Sequence, residues 1–294
     1  MRNVKRGKRG IFAETFVLGL ALGLFGAAAA AGQGMSSKQA APQQTPPAGQ
    51  AQPAGGGQNA APQQPPVNKE EEDTYKAFFN LASQQYTDII SQGEDFLVKY
   101  PTSRYRTSVY SRLVNAYLNT NQTGKMVATG EKAIAENPDN VDVLAILSTV
   151  IPRTVDPRSL DADQKLSQAE RYAKHAIEVA STMPKPEGTT DEQFAAAKNE
   201  KLGLAHYGLG LVNYMRGNTA PAAEELEQAS KLDPTPEPLL FYLLGTEDMK
   251  LKKYPDAAAA FDHCANAQWD PKWQGRCKQG AEGARQAAAA PAKP

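Results

Sequence analysis

The chain has 294 residues, with 32 basic and 32 acidic side chains, so its formal net charge is zero. A nucleic-acid-binding protein usually carries a clear excess of basic residues, and this balance argues against such a partner. Hydrophobic residues make up 41% of the chain, enough for a core, although only 7% are aromatic. Abundant alanine with few aromatic residues favours closely packed helices.

The first 32 residues have the composition of a targeting segment. A basic stretch precedes an apolar run from Ile11 to Ala31 that is interrupted only by Glu14 and ends in small residues. The small residues favour a cleaved signal peptide, whereas a run of about 20 apolar residues is also long enough for a membrane anchor. Residues 1–32 are therefore predicted to be a signal peptide or an N-terminal membrane anchor, with membrane anchoring through residues 11–31 in the second case. In both cases the rest is exported, either periplasmic or anchored in the inner membrane and facing the periplasm.

Residues 33–68 are rich in Gln, Pro, Ala and Gly, and Lys38 is the single charged side chain between residues 33 and 67. Such a segment buries too little apolar surface to offset the entropy lost on ordering. We predict a disordered linker that acts as a spacer. A proline-rich ligand for another domain is the alternative, but no basic or aromatic residue flanks the prolines.

A helical hairpin is predicted at residues 203–235. Leu209, Val212 and Tyr214 form an apolar stripe, and residues 216–218 have the composition of a turn. The next stretch has apolar residues at helical spacing before Asp233 and Pro234 end it. These apolar residues are Ala222, Leu226, Ala229 and Leu232. Small residues such as Gly210 allow the two helices to approach closely.

The same pattern recurs along the chain. It returns at Leu244, Gly245, Ala257, Phe261 and Cys264, so that Gly210 to Gly245 is a step of 35 residues. Upstream, the equivalent positions are Tyr110, Leu113, Tyr117, Ala133, Ile134 and Pro138. Gly130 replaces the bulky residue that is usual at its position, and this replacement should weaken the hairpin. A distorted unit spans 141–183 and contains an inserted loop at 152–164. A second insertion at 184–190 precedes a long first helix, predicted at 191–216.

This pattern resembles the tetratricopeptide repeat, whose period is about 34 residues. The resemblance covers roughly residues 70–271, although His206 and Asn213 replace the usual Trp and Tyr. It implies an all-α, tetratricopeptide-type helical-hairpin solenoid at residues 69–286, with about five helix pairs and a C-terminal capping helix, followed by a disordered tail at 287–294. The Tyr-Pro-x-Ser-x-Tyr form at residues 100–105 is similar to that of bacterial extracytoplasmic and envelope members of this family.

The sequence contains no recognised catalytic or metal-binding motif. The three histidines are far apart in sequence, and the two cysteines with His263 make a poor zinc site. The acidic loop at 152–164 lacks the glycine and the bidentate glutamate of a calcium loop, since Tyr172 stands where the glutamate should be. We therefore predict a protein that is not an enzyme and that needs no cofactor or metal.

The resemblance implies a non-catalytic protein–protein interaction scaffold that binds a peptide or protein partner in its concave groove. The alternatives are a subunit of an envelope-assembly machine and, in a different class, an envelope hydrolase with an unrecognised site. Groove positions carried over from the family, residue by residue, are Asn115, Leu204, Tyr207, Leu211, Tyr214, Tyr242 and Met249. The basic positions of carboxylate-binding relatives are occupied by leucine or glycine, so an apolar or aromatic segment is the expected ligand. In the alternative interpretation, some of these side chains pack against neighbouring first helices and do not contact a ligand.

Cys264 and Cys277 are predicted to form a disulfide. Both lie in the exported part, their number is even, and oxidising compartments favour disulfides. The bond would fasten the capping helix to the last hairpin. The alternative is a pair of buried thiols, with Cys264 filling a position that alanine usually occupies.

Overall fold

The computed structural model describes residues 68–290. That part of the chain forms eleven α-helices and no β-strand. The helices are α1 (Lys69–Phe79), α2 (Tyr86–Lys99), α3 (Arg106–Asn119), α4 (Thr123–Glu136), α5 (Val141–Thr154), α6 (Ala162–Thr182), α7 (Asp191–Arg216), α8 (Thr219–Leu232), α9 (Pro238–Lys250), α10 (Tyr254–Asn266) and α11 (Pro271–Ala289).

The predicted signal or anchor segment and residues 33–67 of the linker lie outside the described residues, as do residues 291–294 of the predicted tail. Between residues 68 and 290, none of the helices is both long enough and apolar enough to pass through a bilayer. The capping helix α11 continues to Ala289, three residues further than the predicted end of the solenoid at residue 286.

Each odd-numbered helix from α1 to α9 packs against the even-numbered helix that follows it, and each pair packs against the next. Short loops connect the successive helices, and loops of this length typically join antiparallel helices. Helix α11 then packs on α10 and covers the C-terminal end of the stack. The predicted all-α, tetratricopeptide-type solenoid with a C-terminal capping helix is confirmed.

The hairpin of α7 and α8 shows how the sequence specifies one unit. Thr190 and Gln193 form a capping box at the start of α7, and Gly217 ends the helix with a left-handed φ of 77°. Gly210 faces α8, where an added Cβ would lie 2.7 Å from Leu226 Cδ2. Leu226 and Ala229 are fully buried, as their helical spacing predicts.

Helices α5 and α7 approach each other closely at Gly208. A Cβ added to Gly208 would lie 2.8 Å from Ser148 Cβ and 3.0 Å from the Ser148 carbonyl carbon. Because the second of these atoms is backbone, the two helices themselves must separate to admit a side chain. Gly275 in α11 offers a matched case, since no atom lies within 4 Å of a Cβ added there.

We expect Gly208→Ala to reduce the free energy of unfolding by about 1 to 3 kcal/mol, because overpacking forces the backbone to shift. Gly275→Ala should raise it by about 0.5 to 1 kcal/mol, because alanine loses less conformational entropy in a helix. Urea denaturation of both variants followed by circular dichroism measures the two changes. An increase in the free energy of unfolding with Gly208→Ala would show that helix propensity, and not the α5–α7 approach, decides the outcome at Gly208.

Gly130 has a packing role that the sequence analysis missed. It was expected to weaken its hairpin because it lacks a bulky side chain. In the structure, a Cβ at Gly130 would lie 2.9 Å from Leu147 Cδ2. Leu147 of α5 is fully buried in the core and fills the space beside the glycine. The glycine of α4 therefore accommodates a leucine from the next pair.

Helix α7 is the longest of the described helices, with 26 residues, and has the predicted bounds. It contacts α5, α6, α8 and α9. Its first twelve residues, 191–202, precede the repeat pattern that begins at residue 203 and are mostly exposed. This N-terminal extension of α7 reaches the candidate site described below.

The last hairpin and the cap meet at the two cysteines. Cys264 in α10 and Cys277 in α11 are at disulfide distance, with Cα atoms 5.8 Å apart, and both are fully buried. That spacing falls within the usual range for a disulfide. Ala281 and Ala284 of α11 pack nearby against Ala257 and Phe261 of α10.

Asp248 in α9 is a buried acidic side chain, only 5% exposed. Burial raises the pKa of its carboxyl from 3.8 to about 6, and the carboxylates of Asp256, Glu227 and Glu247 add to the rise, while Lys253 opposes it. Between these two pKa values the native state binds more protons than the unfolded state. The free energy of unfolding therefore falls as the pH rises through this interval.

Asp248→Asn should remove this part of the pH dependence. We expect the variant to gain about 1 to 2 kcal/mol over the wild type between pH 4 and pH 7.5, after allowance for partial solvent screening. Urea denaturation at five pH values in this range measures the difference. Parallel pH profiles for the two proteins would show that Asp248 keeps an ordinary pKa in the folded chain.

Candidate functional site

Three first helices, α3, α5 and α7, lie side by side and present side chains to a common surface. Ser111 and Asn115 are one turn apart on α3, Asp142 and Ile146 on α5, and Glu200 and Leu204 on α7. Residues four apart lie on the same face of a helix. In stacked hairpins of this type the first helices line the concave surface.

These side chains enclose a cavity of ≈ 330 Å³, which we call the inner groove. Its lining residues are Ser83, Ile89, Ser111, Arg112, Asn115, Asp142, Val143, Ala145, Ile146, Glu200, Lys201 and Leu204. Its apolar residues Ile89, Val143 and Ile146 are buried and form a floor, whereas its polar residues Ser83, Asp142 and Glu200 are exposed and form a rim. The groove lies in the N-terminal half of the solenoid and ends against the extension of α7.

Arg112 and Ser111 use their polar groups to hold the wall of the groove. Arg112 donates to the carbonyl oxygens of Phe78, Phe79 and Leu81 at distances of 2.8, 2.6 and 2.8 Å. These carbonyls lie at the C-terminal end of α1, where a cation is favourable. Ser111 donates to Thr107 and accepts from Asn140 at 2.8 Å. None of these groups is available to a ligand without breaking a wall contact.

Asn115 and Glu200, in contrast, keep polar groups available. The Asn115 carbonyl Oδ1 accepts from Asn119 at 3.1 Å, but its Nδ2 donates to no acceptor among residues 68–290. Glu200 forms neither a hydrogen bond nor an ion pair within the same range, whereas its neighbour Lys201 pairs with Asp142. An amide and a carboxylate therefore face the groove unused.

Partial desolvation by the groove walls raises the pKa of Glu200. The carboxylates of Asp233 and Asp142 raise it further, and the ammonium of Lys201 lowers it. Asp233 shows the same direction of shift, since burial raises the pKa of its carboxyl as well. Three carboxylates, those of Glu200, Asp142 and Asp233, thus lie near one another on this side of the groove, together with one ammonium, that of Lys201.

The structure divides the groove residues predicted from the sequence into three groups. Asn115 and Leu204 line the inner groove. Tyr207 and Leu211 are 3% and 5% exposed and belong to a buried cluster with leucines of α9. The prediction that these two side chains form an open contact surface does not agree with their burial. They pack between neighbouring first helices, as the alternative interpretation proposed.

Tyr207 is buried because an ion pair covers it. The Arg153 guanidinium carbon at the end of α5 lies 5.1 Å from the centroid of the Tyr207 ring, and Arg153 pairs with Glu237 at the start of α9. The side chains of this pair are themselves only 21% and 17% exposed. Burial raises the pKa of the Tyr207 hydroxyl.

The third group is half-buried and lies away from the inner groove. Tyr214 contacts Lys250, whose Nζ is 5.3 Å from the ring centroid, and burial raises the pKa of Tyr214 to about 12. Tyr242 makes edge contacts with Trp273 of α11, at 5.1 Å between centroids, and with Phe261. Met249 packs beside Phe261. Tyr242 and Met249 thus help to attach the cap.

Sequence reasoning missed Glu200 and Lys201. Positions in a repeat are counted from the repeat pattern, which begins at residue 203, so the extension of α7 received no groove position. The available signal was the unusual predicted length of that helix.

The three histidines lie in three different helices, α6, α7 and α10, and each has a structural contact. His175 bonds Asp139 at 2.8 Å, His206 bonds Glu225 of α8 at 2.7 Å, and His263 stacks on Phe241. Among the residues that the structure describes, no three His, Cys, Asp or Glu side chains are arranged to hold a metal ion.

No protein-family model matches the chain, and neither does any curated protein. Among solved structures, it is similar to a thermophilic tetratricopeptide repeat protein from Thermus thermophilus, with 19% identity and a TM-score of 0.47 over 71% of this chain and 98% of that one. It is also similar to a tetratricopeptide repeat protein from Parabacteroides merdae, with 10% identity and a TM-score of 0.31 over 74% and 100% of the two chains. The repeat spacing and the helix pairing described above make residues 69–289 a tetratricopeptide-type solenoid.

Proposed function

We propose that this protein is a non-catalytic interaction scaffold that binds a peptide segment of a partner protein in the inner groove. The observation that carries the proposal is the groove itself, a cavity of ≈ 330 Å³ formed by three successive first helices. Stacked hairpins commonly use such concave surfaces to hold peptides.

The lining of the groove fits a peptide. Ile146 and Leu204 supply apolar surface for a side chain, and the unused Nδ2 of Asn115 can donate to a peptide carbonyl. Apolar walls with a few well-placed polar groups are typical of binding sites. Because Tyr207 is buried, apolar contact comes from the aliphatic floor and not from the tyrosines.

We further propose that the scaffold works in the periplasm or at the periplasmic face of the inner membrane. This part rests on the sequence of residues 1–32, and the pair formed by Cys264 and Cys277 fits an oxidising compartment. Cell fractionation of the full chain with an antibody against the solenoid tests it. Recovery in the cytoplasmic fraction would contradict it.

A pull-down from cell-envelope extract with the full chain tests the binding function. Asn115→Trp should fill the groove at a half-buried position, and Ser83→Trp, at an exposed position across the groove, repeats the test. Asn266→Trp is the matched control, because Asn266 is exposed at the end of α10 outside the groove.

We expect the wild type and Asn266→Trp to retain the same partner proteins. The recovery of these partners should fall at least tenfold with both groove variants, while their helicity, measured by circular dichroism, stays unchanged. Equal recovery with all four proteins would show that partners bind elsewhere. A partner that is lost only with the control variant would contradict the assignment in the same way.

A further inference from the structure

We infer that the segment bound in the inner groove carries a lysine or arginine side chain that pairs with Glu200, beside an apolar side chain seated on Ile146 and Leu204. This inference rests on the proposed function, which it deepens by stating the chemistry of the ligand.

The first argument is the distribution of charge in the groove. Four charged side chains line it, and three of them are already engaged. Arg112 binds three carbonyl oxygens of the wall, and Lys201 pairs with Asp142. Glu200 is the one that has no partner among residues 68–290, and it is exposed at the rim. The charged side chain of the groove lining that has no partner in the described chain is therefore a carboxylate.

The surroundings of Glu200 strengthen this preference. Asp142 and Asp233 both bring negative charge close to it, and the nearby cation, Lys201, is already paired with Asp142. Asp233 accepts a hydrogen bond from the backbone of Thr235 at 2.8 Å, but in the described chain it pairs with no cation. A basic side chain entering here would meet the Glu200 carboxylate, which has no cationic partner in the described chain, whereas an acidic side chain would be repelled by it.

The second argument is spacing. Glu200 and Leu204 are one turn apart on α7, which corresponds to about 6 Å along the helix axis. In an extended peptide, residues i and i+2 are on the same face and about 6.6 Å apart. A ligand lying along α7 can therefore place an apolar side chain on Leu204 and a basic one at Glu200 when the two are separated by one residue.

The test is selection from a phage-displayed library of random peptides, with the purified full chain as the target. Four targets are compared: wild type, Glu200→Lys, Asn115→Trp and Glu224→Lys. Glu224 is exposed on α8, so Glu224→Lys makes the same change in net charge outside the groove.

We expect wild type and Glu224→Lys to enrich peptides with an apolar residue and a basic residue separated by one position. Glu200→Lys should lose the basic preference, and Asn115→Trp should enrich no peptide above background. In a synthetic copy of one enriched peptide, replacing the basic residue by glutamine should weaken binding to the wild type by about two- to fivefold at low salt. The difference should shrink at high ionic strength.

The possible failures are distinguishable. Peptides enriched equally by wild type and Glu200→Lys, but lost with Asn115→Trp, would overturn this inference and leave the groove as a peptide site. Enrichment that survives Asn115→Trp, or no enrichment by the wild type at all, would overturn the proposed function together with the inference.

Discussion

Tyr207→Ala is expected to reduce the free energy of unfolding by about 3 to 5 kcal/mol, the range for removal of a large buried side chain. The ring is 3% exposed and packs among leucines of α9 beneath the Arg153–Glu237 pair. Truncation leaves a cavity at the junction of α7 and α9 and removes the ring from beneath the guanidinium. Both effects act on the folded state in the same direction.

Urea denaturation followed by circular dichroism measures this change. Tyr254→Ala is the matched control, because Tyr254 is half-exposed at the start of α10 and belongs to none of the buried clusters of the described chain. It should change the free energy of unfolding by less than about 1 kcal/mol. If Tyr207→Ala kept full stability but lost partner binding, the tyrosine would be a contact residue after all.

We predict that Cys264 and Cys277 form a disulfide, and we expect its reduction to lower the free energy of unfolding by about 3 kcal/mol, the chain-entropy value for a short loop. The two residues are separated by 13 positions and join α10 to the capping helix. These are the two cysteines of the entire sequence, so a reducing agent acts on this bond alone.

Thermal melts with and without dithiothreitol measure the effect, and the double variant Cys264→Ala, Cys277→Ala is the control. The reductant should lower the melting temperature of the wild type and leave that of the variant unchanged. Two reactive thiols in the denatured protein isolated without reductant would show that the cysteines are not bonded.

The helix pairs could be predicted from the sequence because their determinants are local. Ala222, Leu226 and Ala229 recur at helical spacing, and all three are buried, as that spacing predicts. Gly217 ends α7 by its own backbone conformation. Features that depend on one helix or one turn are determined by short stretches of sequence and can be predicted from them.

The candidate site could be predicted only in part. The family pattern gives groove positions to Asn115 and Leu204, and both line the inner groove. The burial of Tyr207 depends on Arg153 and Glu237, which belong to two other pairs, and no local pattern brings the three together. Glu200 was missed because it precedes the repeat pattern on a helix whose extension is particular to this chain.

The Arg153–Glu237 pair joins residues 84 positions apart, whereas equivalent residues in successive hairpins are separated by about 34. Hairpins that touched only their neighbours would assemble by a series of short loop closures. We expect this pair to form only after α5, α7 and α9 are all in place, late in folding. An interaction absent from the transition state slows unfolding and leaves the folding rate nearly unchanged. The pair therefore prolongs the lifetime of the assembled middle of the solenoid once that part has formed.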